Sequence, residues 1–88
     1  MDKEIKTAVG RVRRMERIFD ILGQNKERVF SDTGLLKKYE SLVRYYEGGK
    51  WLQDYSLDER GLLPQTLKSG VLSEDGVYNL LCDIEKTE

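Results

Sequence analysis

An 88-residue chain with net charge −1, 35% charged and 39% apolar residues has the size and balance of one soluble domain, residues 1–88, with a small core. It holds no histidine and one cysteine, Cys82. That excludes an internal disulfide, a zinc site of cysteine and histidine within one chain, and Ser–His or Cys–His catalysis.

Residues 2–22 carry the period of an amphipathic helix. Ile5, Ala8, Val9, Val12, Met15, Phe19 and Leu22 recur at spacings of three and four. Asp2 and Glu4 fall in the first turn, where negative charge favours the helix dipole, and Gly23 and Asn25 are expected to stop the helix. At about 100° per residue, Lys3, Lys6, Arg13, Arg14 and Arg17 fall on the opposite side with no acidic side chain among them. Clustered Arg and Lys supply charge and bidentate donors to phosphate. The plainer reading is a solvated face, or one paired with the later part of the chain. Residues 1–28 hold eight Lys/Arg against five Asp/Glu, and residues 29–88 hold seven against eleven, an asymmetry that suits either an anionic partner for the first part or two parts of one domain that attract each other.

Residues 24–32 read as a loop or as a helical turn broken near Ser31, with Val29 and Phe30 packing inward. A helix is predicted over 33–47, capped by the side-chain oxygen of Ser31 or Asp32. Its apolar stripe is Leu35, Leu36, Tyr39, Leu42, Val43 and Tyr46. Tyr45 points off that stripe, either to pack under the following segment or to face outward. Gly48-Gly49 ends the helix. Two such helices with a short link predict an antiparallel hairpin whose apolar groove needs a cover.

Residues 50–60 predict a short helix with Trp51, Leu52 and Tyr55 on one side. The lone proline, Pro64, then pushes Leu63 into an extended conformation and blocks a continuing helix. Leu62, Leu63, Leu67, Val71 and Leu72 are expected to insert between the hairpin and the last helix, since burying each contributes about 1.5–3 kcal/mol. The last helix is predicted to begin at Ser73, with Glu74 and Asp75 in its first turn. Val77, Tyr78, Leu81 and Ile84 form its inner face, with Leu80 at the border. The expected class is all-α: a helical hairpin, a clasp of short helix and Leu-Pro connector, and a final helix on the hairpin.

The stretches RVRRMERIFDIL, YYEGGKWLQD and GLLPQTLKSGVLSEDGVYNLL resemble a family of short bacterial cytoplasmic proteins known only as a domain of unknown function. The resemblance covers most of the chain. It implies a helical hairpin, a tryptophan-bearing segment, a Leu-Pro loop and a helix opened by Ser-Glu-Asp. Against that resemblance, the hairpin is expected to be about one helical turn shorter, and the family pattern implies a final helix running on past Ile84. The family brings no established activity.

Several groups invite a chemical reading. Asp54, Asp58, Glu59, Glu74 and Asp75 offer oxygen ligands to magnesium or calcium, but their spacing matches no calcium loop, so neither metal nor cofactor is expected. Cys82 has no activating base, and its neighbour Asp83 opposes thiolate formation, which makes it a packed thiol. Tyr45 and Trp51, beside Tyr46 and Tyr55, are either core or a partner surface, because Tyr and Trp dominate interface hot spots. Subtraction leaves a small non-enzymatic interaction module, an adaptor or inhibitor of a protein partner. The alternative is a binder of an anionic ligand, nucleotide or nucleic acid, through Lys3, Lys6, Arg13, Arg14 and Arg17. A carboxylate- and metal-dependent hydrolase is the weakest reading. No apolar run approaches the roughly 20 residues of a membrane span, and MDKEIKTAVG has no signal-like apolar region, so a reducing cytoplasm is expected. Monomer and homodimer remain equally open.

Overall fold

Asp2 starts the first helix: its Oδ1 accepts the Glu4 N–H at 3.1 Å, satisfying one of the unpaired amides of a helix start. The structure is a computed structural model describing residues 2–88, and it is all-α, with no strand among the described residues. Helix α1 is Lys3–Gln24, with Ala8, Val9, Val12, Met15 and Leu22 buried. Gly23 lies within it, and Asn25 ends it. The Asn25 backbone N–H donates to Leu22 O at 3.1 Å, and its side-chain Nδ2 donates to Ile21 O at 2.8 Å.

Lys26–Ser31 forms a 3-10 helix, which settles the ambiguity of residues 24–32. With about three residues per turn, neighbours on such a helix point roughly 120° apart. Only one of Val29 and Phe30 can face the core. Val29 is fully buried, whereas Phe30 is exposed, resting edge-on against Tyr39 with ring centroids 5.5 Å apart.

Helix α2, Thr33–Glu47, is capped by Asp32, whose Oδ1 accepts the Leu35 N–H at 3.1 Å. Ser31 instead donates to Arg28 O. The buried face of α2 is Leu35, Leu42 and Tyr45, turned from the expected stripe towards Tyr45. Leu36, Tyr39, Val43 and Tyr46 are half-buried at its flank.

Gly49 has φ +96°, a left-handed turn that favours glycine, and it delivers the chain into α3, Lys50–Glu59. The inward residues of α3 are Asp54 and Leu57. Trp51 and Tyr55 flank that face, and Leu52 is exposed, contrary to the expected Trp51–Leu52–Tyr55 face. On a helix Leu52 sits about 160° from Asp54. Once Asp54 is drawn inward by its polar partners, Leu52 must point to solvent.

The connector is part of the core. Leu63, Val71 and Leu72 are buried and Leu67 is half-buried against them, while Leu62 is exposed. Gly61, at φ +70°, turns the chain, and a single 3-10 turn spans Gly70–Leu72. Both backbone polar groups of Val71 are held: its N–H donates to Glu16 Oε1 at 2.7 Å, and its carbonyl accepts from Trp51 Nε1 at 2.9 Å.

Helix α4 is Gly76–Glu85, three residues later than predicted. Ser73 does not cap it; Glu74 and Asp75 form a turn before it. Val77, Leu80, Leu81 and Ile84 are buried, and Tyr78 is exposed. Leu80 therefore takes the inward place that Tyr78 was expected to hold. Tyr78 lies about 100° from the centre of that face, and a phenol is the cheaper group to leave in water. No helix among the described residues is long and apolar enough to cross a membrane.

Candidate functional site

Lys3, Lys6, Arg13, Arg14 and Arg17 are all exposed on α1. At 1.5 Å per residue, Lys3 to Arg17 spans about 21 Å. None of the five forms an ion pair with a described residue. The attraction between the basic first part and the acidic remainder runs through other side chains: Arg11 to Asp54, and Lys26 to Asp83 at 3.1 Å. At the border of the face Lys68 reaches Asp20 at 3.0 Å. The stripe thus faces solvent with no described carboxylate paired to it.

Tyr45 does not belong to a partner surface. Its side chain is buried, and its hydroxyl donates to Asp54 Oδ2 at 2.8 Å. Arg11 completes the group, with Nε donating to Asp54 Oδ2 at 2.8 Å and Nη2 donating to Oδ1. Asp54 is fully buried, and a buried carboxylate persists when paired and hydrogen-bonded. The hydrogen bond to Asp54 raises the Arg11 pKa further, fixing it as a cation. Nothing in the local sequence flags this trio, because Arg11 and Asp54 lie 43 residues apart. The only local signal was Tyr45, an aromatic residue off its helix stripe.

Burial, reinforced by the hydrogen bond to Asp54, pushes the Tyr45 pKa up from 10.0. Tyr39 is shifted the same way, by burial and then by Glu85. A phenol whose folded pKa is raised contributes stability that is fully present below the unfolded value, about 10, and is lost as pH rises above it. Stability is therefore expected to decline above about pH 10, and Tyr45→Phe should flatten that decline. Urea unfolding from about pH 8 to about pH 11 checks this; equal slopes in both proteins would show that Tyr45 contributes nothing to it.

Trp51 is half-buried between Tyr46, edge-on at 5.1 Å, and Tyr55, stacked at 4.9 Å. With Nε1 engaged by Val71, it clamps the connector and leaves only part of its ring to solvent. The carboxylates do not assemble: Asp54 is occupied by Arg11 and Tyr45, while Asp58, Glu59, Glu74 and Asp75 are exposed. Among the described residues no three His, Cys, Asp or Glu side chains come together as a metal site. Cys82 is a half-buried free thiol.

A family model described as "Domain of unknown function (DUF4298)" matches residues 12–87. That stretch includes Arg13, Arg14, Arg17, Tyr45 and Trp51, and leaves Lys3 and Lys6 outside. No curated protein and no solved structure matches the chain.

Proposed function

We propose that this chain, which belongs to the DUF4298 family, a domain of unknown function, is a small non-enzymatic interaction module of the bacterial cytoplasm. It acts as an adaptor or inhibitor by docking an acidic segment of a protein partner on the outer face of α1. The observation that carries this reading is the row of five exposed cations, Lys3, Lys6, Arg13, Arg14 and Arg17, none in an ion pair with a described residue. Like charges in a row repel, and an acidic partner relieves that repulsion while the field steers its approach. A convex helix face suits an extended segment better than a small molecule, which favours a concave site. A second reading, an anionic ligand such as nucleotide or nucleic acid on the same face, is favoured by the absence of any carboxylate within the stripe. The proposal holds for a monomer or a homodimer.

Charge reversal separates the readings. The triple variant Arg13→Glu, Arg14→Glu, Arg17→Glu is expected to bind a glutamate-rich peptide about a hundredfold more weakly in fluorescence anisotropy. That is about 0.9 kcal/mol per residue, with the helical circular dichroism unchanged. An oligonucleotide of equal length binding more tightly than the peptide would transfer the function to the second reading. Equal retention of either probe by the reversed protein would overturn both.

A further inference from the structure

Arg14 stands at the edge of the α1 stripe, and from it the positive surface continues into a concavity of about 290 Å³. Three helices build its wall: Arg11 and Arg14 from α1, Ser41 and Arg44 from α2, and Lys50 at the start of α3. Met15 and Tyr45, both buried, form its floor. No carboxylate lines it. Arg14, Arg44 and Lys50 form no ion pair with a described residue; Arg44 reaches only the Ser41 hydroxyl, at 3.4 Å. Arg11 is immobilised by Asp54 through Nε and Nη2, so the wall has one rigid member. The chain has sixteen Asp and Glu, yet three mutually repelling cations converge here without one.

We propose that this concavity is a subsite for the dianionic phosphate group of a ligand. Arg14 and Arg44 offer planar forks that match phosphate oxygens in pairs, Lys50 adds a point charge, and the Ser41 hydroxyl adds a donor. The volume lies just below the range of ligand pockets, about 300–1,000 Å³. It admits a phosphate and its first attached atoms. The Tyr45 hydroxyl is committed to Asp54 and its ring is buried, so no aromatic face is presented for a base to stack on. Recognition here is by charge and donors. The subsite does not depend on the docking of an acidic segment along the outer face of α1, since Arg44 and Lys50 lie on other helices.

The phosphate can belong to a phosphorylated side chain or to a nucleotide, and two probes distinguish these sources. N-acetyl-phosphoserine amide and ADP are titrated into the full chain, followed by calorimetry and amide chemical shifts. Saturable binding is expected, with shifts centred on residues 41–50. The double variant Arg44→Gln, Lys50→Gln should bind at least about tenfold more weakly, whereas Arg60→Gln, Lys86→Gln should stay within about twofold; all four side chains are exposed, so the fold tolerates both changes. Equal affinity for the two probes means that only the phosphate is read, and preference for one identifies the source. Non-saturating shifts spread along α1, or equal weakening by the two double variants, would overturn the subsite. Loss of acidic-peptide binding in Arg13→Gln, Arg17→Gln alone would leave it standing.

Discussion

Asp54→Ala is expected to lower stability by about 3–5 kcal/mol. The carboxylate is fully buried, and its loss strands two partners at once: the Arg11 guanidinium, whose side chain is 14% exposed, and the Tyr45 hydroxyl. Arg11 retains some access to water, which places the cost nearer the lower figure. In a chain of this size about 1 kcal/mol moves the midpoint by roughly 4–8 °C, so the melting temperature should fall by at least about 12 °C. Replacing the whole group tests whether the damage comes from orphaned polar atoms or from lost attraction. Arg11→Met, Tyr45→Phe and Asp54→Leu together remove every stranded partner, and should cost less than Asp54→Ala alone. A triple variant less stable than the single one would show that the ionic group itself supplies net stability.

The same trio marks where local sequence reasoning stops. The α2 boundaries, Thr33–Glu47, are legible because their causes are local: a capping Asp32 and a Gly48-Gly49 break. The α1 face is legible because a buried stripe and a basic stripe each repeat along one helix. Asp54 is different. Alone on α3 it reads as a surface carboxylate, and only Arg11 and Tyr45 make its burial favourable. Its inward turn then rotates α3 and sends Leu52 to solvent, and Tyr45 follows it inward and shifts the buried face of α2. One non-local polar group thus accounts for the misassigned phase of two helices. The phosphate subsite is hidden for a related reason. Arg44 and Lys50 flank the Gly48-Gly49 turn, and they join Arg14 on one wall only after α2 and α3 have packed on α1.

The connector is where sequence and structure agree on a principle while differing on one residue. Five apolar side chains were expected inside; Leu63, Val71 and Leu72 are buried, Leu67 is half-buried, and Leu62 is exposed. Leu72→Ala should therefore cost about 2–5 kcal/mol, as for other buried leucines, while Leu62→Ala should stay within about 0.5 kcal/mol. Total stability for such a chain is about 5–15 kcal/mol, so the first change removes a large share of it and the second is almost silent. The contrast is sharpened by the way the segment is anchored. Glu16 holds the Val71 N–H and Trp51 holds the Val71 carbonyl, which resists collapse of the backbone beside Leu72 into the space an alanine would leave. Partial collapse is what lowers the cost of such truncations elsewhere, so the upper part of the range is expected here. Chemical denaturation of the two alanine variants measures the difference directly. Equal midpoints would show that the connector rides on the surface, and that the four helices close their core without it.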